Sequence, residues 1–270
     1  MVLMIAGPLI YTFYLGFHRW FLSSVAQPEW VGLSNFAKIL QDQRFFSSLR
    51  ITAYFTFGAL ALQIVLGISL AQLLNRPFRG RAVVRTILVI PMASTPVAIS
   101  LVWRLMFHGS LGIVNHLLEA IGIQGPMWLG RRETVIPALI LIDVWQWTPL
   151  IMLVALAGMT AIDPNLFEAS AIDGASRWQR FWHITLPLIR PAVVVGALLR
   201  FMDSVKTFDL IYITSEGGPA HASRILNLYV FDQGFRYFHM GYASALVIVM
   251  TLLIMVVSGG LVLMRRGGWR

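Results

Sequence analysis

Residues 167–191 read FEASAIDGASRWQRFWHITLPLIRP, a polar stretch that separates two long apolar segments of the chain. Just ahead of it, Asp163 and Pro164 predict a helix start, because aspartate caps helix N-termini and proline is tolerated in the first turn. The pair Asp173-Gly174 predicts the end of that helix, since glycine takes the left-handed conformation without steric cost. The sequence therefore predicts a short helix at this position.

A second helix is predicted directly after the first. Ser176, with Gln179 three residues later, has the spacing of a capping box. The aromatic residues of this helix, Trp178, Phe181 and Trp182, share one face. Its arginines, Arg177 and Arg180, lie largely off that face. Such a pattern is typical of a helix at a bilayer interface, with rings toward lipid and guanidiniums toward water or phosphate.

The spacing of the stretch resembles the EAA loop of permeases from binding-protein-dependent ABC importers. The matching positions are Glu168-Ala169, Gly174, Ile184 and Leu186-Pro187. In that family the loop is cytoplasmic and forms the coupling helix, which docks into a cleft on the ATP-hydrolysing subunit. The resemblance implies an ATPase-coupling role for seven residues: Glu168, Ala169, Ser170, Asp173, Gly174, Leu186 and Pro187. Ser170 stands where the family usually has alanine. The alternative is an ordinary capped loop between membrane helices.

The composition indicates a polytopic membrane protein. Apolar residues make up 57% of the chain and charged residues 12%, which leaves too few charges to cover a soluble surface. The chain has no cysteine, and its six histidines form no HxH or HxxxH pair, so the sequence gives no support for a metal site. The net charge of +9 comes from arginines beside apolar segments, which favours positive-inside topology over nucleic-acid binding.

Six segments are apolar and long enough to cross about 30 Å of hydrocarbon: residues 1–20, 50–74, 83–107, 134–158, 187–213 and 241–264. We expect a single all-α domain over residues 1–270, with the six-helix fold of a type I ABC importer and a coupling loop at 159–186. The first segment starts apolar at Met1, so we expect that a short cytoplasmic tail and part of this helix are missing. Prolines in the third and fourth segments predict bent, bundled helices: Pro91, Pro96, Pro137 and Pro149.

Basic residues set the expected orientation in the membrane. Two groups are dense enough to be placed on the cytoplasmic side: Arg76, Arg79, Arg81 and Arg85, and then Arg265, Arg266 and Arg270. This orientation puts the coupling loop and the C-terminus in the cytoplasm. The resemblance implies that the protein lies in the cell (inner) membrane of a bacterium or archaeon.

Charged residues within the predicted spans indicate a polar site, because a charge in hydrocarbon is costly unless it faces a cavity or a partner. In sugar-importing relatives the mid-membrane site is drawn from positions that match seven residues: Asp143, Gln146, Trp147, Leu150, Leu199, Asp203 and Lys206. Arg200 lies beside them. Paired acids, bases, an amide and an indole suit a hydroxyl-rich solute such as a sugar. Alternatively, Asp143 and Lys206 neutralise one another in a cluster that only fixes packing.

The segment TSEGGP at 214–219 is predicted to be an exposed turn. It resembles the extracytoplasmic loop of sugar-type permeases, which implies contact with a binding protein through Gly217, Gly218 and Pro219. Further matches run over nearly the whole chain: GLSNF, LNRPFRGR, GIVNHLL, FDLIY and GYASAL. They place the resemblance in the maltose and glycerol-phosphate permease class.

The sequence has no GxxxxGK[ST] phosphate loop, so it predicts a non-catalytic subunit that binds no cofactor of its own. ATP and Mg²⁺ would then be bound by partner subunits. The resemblance implies a complex with a second permease, two ATP-binding subunits and an extracytoplasmic solute-binding protein. The alternatives are a proton-coupled secondary transporter, with Asp143 or Asp203 as the relay, and a membrane enzyme.

Overall fold

The computed structural model describes residues 2–266, with side chains for residues 6–260 and for Val262. Met1 and Arg270 lie outside the described residues. The expectation of an incomplete first helix involves Met1, and the C-terminal group of arginines includes Arg270. The helices in chain order are α1 (Val2–Gly16), α2 (Ser34–Gln41), α3 (Gln43–Leu74), α4 (Arg81–Ala93), α5 (Pro96–Met106), α6 (Ile113–Glu119), α7 (Arg132–Thr160), α8 (Pro164–Ile172), α9 (Arg177–Arg180), α10 (Leu186–Val205), α11 (Asp209–Thr214), α12 (Leu226–Phe231) and α13 (Met240–Arg266). Strands β1 (His18–Arg19) and β2 (Glu29–Trp30) form an antiparallel hairpin. The fold is therefore mostly helical, as the sequence predicts.

Helix α7 lies at the centre of the bundle. In its most apolar window 67% of the residues are buried, against 33% for α3 and 39% for Met240–Gly260. The sequence explains this position, because α7 is apolar on nearly every face and such a helix is stable only when it is surrounded.

The bundle has two distinct ends. Helices α3 and α7 run in the same direction, because Phe55 and Ala59 pack near the start of α7 whereas Ile68 and Ala71 pack near its end. Residues 75–80 and 161–176 therefore lie together, at what we call the α8 end. The N-termini of α3 and α7 define the opposite end.

Two of the predicted spans differ from the helices observed. Residues 83–107 form two helices, α4 and α5, which meet at an angle of 98°. The break falls where Thr95, with ψ of 139°, precedes Pro96, because a residue before proline avoids helical backbone. The segment predicted at 187–213 is instead one continuous helix from Arg177 to Val205. It passes through a π-helical turn at Phe181–Thr185, and α11 is separate.

The number of spans is also lower than expected in the part of the chain that the structure describes. Four helices are long and apolar enough to cross a membrane, and the bent pair α4–α5 would make five, where the sequence predicts six. Helix α1 contributes 15 residues, fewer than the roughly 20 that a span requires.

Helix α3 begins earlier than predicted because Asp42 caps it. A carboxylate oxygen of Asp42 accepts a hydrogen bond of 2.9 Å from the backbone N–H of Arg44. The hydroxyls of Tyr229 and Tyr242 also donate to Asp42, which ties the start of α3 to α12 and α13. Burial alone would raise the pKa of Asp42, but these hydrogen bonds outweigh it and hold the pKa below its usual value.

The contact between α3 and α7 predicts a site that is sensitive to volume. A Cβ atom on Gly67 would lie 2.8 Å from Ile151 Cβ and 3.0 Å from the backbone nitrogen of Met152. We expect Gly67→Ala to lower the free energy of unfolding by about 1–3 kcal/mol, because backbone would have to move. Gly7→Ala is the control, since nothing lies within 4 Å of its Cβ position. Equal thermal stability of the two variants in detergent would contradict the prediction.

Candidate functional site

The caps predicted for the 167–191 stretch are confirmed. Asp163 accepts a hydrogen bond of 2.9 Å from the backbone N–H of Asn165, and Gly174 has φ of +77°. Ser176 and Gln179 form the full capping box, because each side chain accepts from the backbone N–H of the other, at 3.3 and 2.7 Å. Helix α8 therefore has a defined start and stop, and the next helix starts at a defined angle to it.

Helix α8 has no buried residue. Glu168, Ala169, Asp173 and Gly174 are exposed, and Ile172 is 88% exposed. Ser170 is half-buried, and its hydroxyl donates to the carbonyl of Phe167 at 2.9 Å. The remaining two predicted coupling residues lie at the other end of the stretch, Leu186 half-buried and Pro187 exposed. The structure thus gathers five of the seven on one short helix and its C-terminal turn.

The aromatic face predicted for the second helix is present. The rings of Trp178, Phe181 and Trp182 lie in mutual contact, with centroids 5.5 to 6.0 Å apart. Trp178 is 69% exposed. The helix differs from the expectation in one respect, since it continues directly into the span α10. Pro187 explains how the helix continues. Proline has no backbone N–H to donate, and the π-helical turn just before it changes the spacing of the backbone hydrogen bonds by one residue.

A buried ion pair connects the two helices on either side of the loop. The Arg200 guanidinium of α10 donates to both carboxylate oxygens of Asp143 in α7, and the two side chains are 1% and 2% exposed. Arg200 also donates to Asp203 at 2.9 Å. Its guanidinium lies 5.0 Å from the centroid of the Trp147 ring. The Arg200 guanidinium therefore binds two carboxylates and contacts one indole ring.

The alternative in which Asp143 and Lys206 neutralise one another is not observed, because the Arg200 guanidinium binds the Asp143 carboxylate instead. Arg200 lies on the face of α10 toward α7. Its Nη2 donates to both carboxylate oxygens of Asp143, and its Nη1 donates to Asp203, so two nitrogens of one guanidinium bind two carboxylates. In the described residues Lys206 forms no ion pair.

Gln63 of α3 completes this cluster, and our sequence reasoning missed it. Its amide nitrogen donates to the Asp143 carboxylate at 2.8 Å and to the Asp143 backbone carbonyl at 3.1 Å. Gln63 is fully buried. An amide in the middle of an otherwise apolar span is a signal in the sequence, since a buried amide needs a partner.

A cavity of about 170 Å³ lies beside the ion pair. Five of the seven predicted pathway residues line it: Asp143, Gln146, Trp147, Asp203 and Lys206. Gln146 is 2% exposed, and its side-chain nitrogen has no hydrogen-bond partner in the described structure. The cavity walls therefore combine a buried amide, a cation and an indole, a combination that suits a polar, uncharged molecule.

The other two predicted residues, Leu150 and Leu199, do not line this cavity. Leu150 is half-buried, and Leu199 is 53% exposed on the outside of the bundle. Helical spacing placed both on the correct helices but could not fix how each helix is rotated. Within residues 2–266 no group of three or more His, Asp or Glu side chains is arranged to hold a metal ion.

The 214–219 segment is packed rather than exposed. Gly217 is buried, and a Cβ there would lie 2.9 Å from a methyl carbon of Leu228. The Ser223 hydroxyl donates to the Gly218 carbonyl at 2.6 Å. Pro219 is half-buried, and Glu216 is exposed. The loop therefore has a fixed shape at the end of the bundle opposite α8, with a small exposed tip.

Apolar spans around a polar, partly charged cavity define an α-helical membrane transport protein. The model of one family, described as the binding-protein-dependent transport system inner membrane component, matches residues 63–266. The chain belongs to this family of ABC transporter permeases. The resemblance drawn from the sequence is thereby confirmed.

Similar proteins share most of the length of the chain. The trehalose/maltose transport system permease protein MalF of Thermococcus litoralis is 35% identical over 97% of this chain and 88% of the relative. A crystal structure of a bacterial ABC transporter involved in the import of the acidic polysaccharide alginate matches with a TM-score of 0.86, at 23% identity, over 100% of this chain and 92% of that one. A second alginate transporter structure, in complex with alginate pentasaccharide-bound periplasmic protein, matches with a TM-score of 0.77, at 25% identity, over 85% and 81%. The fold is that of a type I ABC importer permease.

The ion pair predicts an asymmetric response to mutation. Arg200→Met would leave Asp143 charged and unpaired in the core, so we expect a loss of about 3–5 kcal/mol in the free energy of unfolding. Adding Asp143→Asn should recover most of that loss, because both charges are then gone. Lys206→Met is the matched control and should have little effect on stability. A double variant as unstable as Arg200→Met, measured by thermal unfolding in detergent, would contradict the pairing.

Proposed function

We propose that this chain is the permease subunit of an ATP-driven importer for a sugar or sugar-like solute. In the proposed complex it forms the translocation path with a second permease. A soluble binding protein delivers the solute at the end of the bundle opposite α8, and two ATP-binding subunits attach at the α8 end. The observation that carries the proposal is α8 itself, a rigidly capped helix that has no buried residue.

Exposure and capping support a docking role for α8. A helix of nine residues gains little stability alone, and helices in folded proteins usually depend on packing an apolar face. Helix α8 has no buried residue against the part of the chain that the structure describes, so another subunit is the partner that would cover its exposed face. Ala169 and Ala171 allow close approach of a second chain, and Glu168 supplies a charged anchor. ATP hydrolysis in the partner would then move α8.

The chain itself offers a direct path from α8 to the polar cavity. Helix α7 carries Asp143, Gln146 and Trp147 and leads into α8 through three residues. Helix α10 carries Arg200 and Asp203 and begins in the same loop. A movement of α8 therefore pulls on both walls of the cavity. In this proposal the chain contributes no catalytic group and binds no cofactor, and ATP and Mg²⁺ belong to the partner subunits.

The chemistry of the cavity supports a sugar-like solute. Gln146 and Lys206 can donate to hydroxyl oxygens, Asp203 can accept from hydroxyl groups, and Trp147 can contact the C–H face of a pyranose ring. The related proteins are named for trehalose and maltose or for alginate, all of which are carbohydrates. Asp143 has a lesser role here, because Arg200 and Gln63 already occupy its carboxylate oxygens.

The proposed orientation places the α8 end and the C-terminus in the cytoplasm of a bacterial or archaeal cell. Arg76, Arg79, Arg81 and Arg85 lie in or next to the 75–80 turn at that end, as positive-inside topology requires. The packed loop with Gly217, Gly218 and Pro219 then faces outward and presents Glu216 to the binding protein.

A proton-coupled secondary transporter has less support. Such a mechanism would need Asp143 or Asp203 to gain and lose a proton. Asp143 is fixed between a guanidinium and an amide, and Asp203 shares the same guanidinium. These contacts give both carboxylates a place in the junction between α7 and α10, which accounts for their presence in the spans without a relay.

Replacing Gly174 should uncouple transport from ATP hydrolysis. Gly174→Val forces a β-branched residue into a φ of +77°, which re-aims α8 relative to α9. We expect solute uptake by proteoliposomes to fall at least about tenfold while the complex still hydrolyses ATP. Gly122→Val is the matched control, because Gly122 has φ of +79° in an open turn at the opposite end. Normal uptake by the Gly174 variant would contradict the proposal.

Removing the free amide should weaken solute binding. Gln146→Leu deletes a donor that has no partner among the described residues, at a cost of about 1–3 kcal/mol in the bound state. We expect the apparent affinity for the solute found on the purified cognate binding protein to fall by about tenfold, with basal ATP hydrolysis unchanged. Gln72→Leu, near the end of α3 and away from the cavity, should leave affinity unchanged. An unaltered affinity in Gln146→Leu would remove this residue from the proposed site.

A further inference from the structure

An apolar groove on the outside of α3, α4 and α7 is not used by the proposed transport mechanism. It consists of two adjoining cavities of about 660 and 430 Å³, which share Leu70 and Leu88 in their walls. The larger cavity extends toward the middle of the bundle, past Ile87 and Leu141 to Trp145. Each cavity is within the range of about 300–1,000 Å³ that is typical of ligand sites.

The smaller cavity opens onto a cluster of positive charge. Arg76 lines it directly, and Arg79, Arg81 and Arg85 follow within ten residues. All are exposed except Arg81, which is half-buried. Among the described residues none of these four side chains forms an ion pair. A groove lined by Arg76, with three further basic residues close by in the chain, attracts an anion that also has an apolar tail.

We propose that this groove is a binding site for an anionic phospholipid. An acyl chain lies along the walls from Leu88 to Trp145, and the phosphate of the headgroup faces Arg76 and its neighbours. The arginine cluster lies at the end of the spanning helix α3, which is the depth of a headgroup. Arginines at that depth attract anionic lipid, and apolar walls stabilise its chain.

The charges favour a lipid over a helix of the second permease as the occupant. Permeases that obey positive-inside topology carry basic residues at the same membrane face. A partner helix in the groove would therefore bring more positive charge to the four arginines. An anionic headgroup instead neutralises them.

The test compares lipids that remain bound to the whole transporter. The complex is reconstituted with equal amounts of phosphatidylglycerol and phosphatidylcholine and extracted in mild detergent, and the retained lipid is identified by native mass spectrometry. We expect wild-type protein to prefer phosphatidylglycerol by at least about tenfold, since several arginines act together. The triple variant Arg76→Gln, Arg79→Gln and Arg85→Gln should lose this preference. The matched control is the triple variant Arg44→Gln, Arg50→Gln and Arg131→Gln, which removes the same charge at the opposite end and should keep the preference.

A second variant tests the groove independently of charge. Leu88→Trp fills the point where the two cavities meet, so it should also lose bound phosphatidylglycerol. Added glycerol phosphate should fail to displace the lipid, because the free headgroup lacks a chain. Equal retention of both lipids by wild-type protein, or retention by the Arg76 triple variant, would overturn the proposal. The chain has no cysteine, so Ile87→Cys gives a single crosslinking site, and its capture of the second permease would overturn the proposal as well.

Discussion

The bundle depends on the ion pair between Asp143 and Arg200. Both groups are nearly inaccessible to solvent, and an isolated charge in such an environment would be too costly to retain. The pair therefore fixes which faces of α7 and α10 meet. Gln63 adds α3 to the same contact through two hydrogen bonds to Asp143. Three membrane helices thus share one polar junction, and the cavity proposed for the solute opens beside it.

The proposed mechanism assigns a structural function and a solute-binding function to different residues of one cluster. Asp143 and Arg200 are paired with each other, whereas the side-chain nitrogen of Gln146 has no hydrogen-bond partner in the described structure. A transported solute would then be bound by groups that can change partners without breaking the junction. The same two helices enter the loop that contains α8, so in the proposed mechanism a displacement of α8 would reach the cavity walls through α7 and α10. This physical continuity is what a coupled transporter needs.

Local features were predictable from the sequence, and long-range contacts were not. The caps at Asp163, Gly174 and Ser176 follow from residues within four positions of one another, and all three were predicted correctly. The partner of Asp143 was not, because helical spacing fixes a face but not the rotation of one helix against the next. The break between α4 and α5 was signalled by Pro96, yet a span bent by 98° depends on packing that no local pattern encodes. The aromatic rings of the second helix were correctly predicted to share one face. The sequence did not show that a π-helical turn joins this helix to α10.

The central claim is that α8 binds an ATP-hydrolysing subunit. Because the chain has no cysteine, Ala171→Cys places a single thiol-reactive photocrosslinker on the exposed helix, and Leu111→Cys places one at the opposite end of the bundle. In membranes that contain the assembled transporter, we predict capture of the ATP-binding subunit from position 171 and not from position 111. Capture from position 111, or none from position 171 in a complex that takes up solute with ATP, would contradict the account.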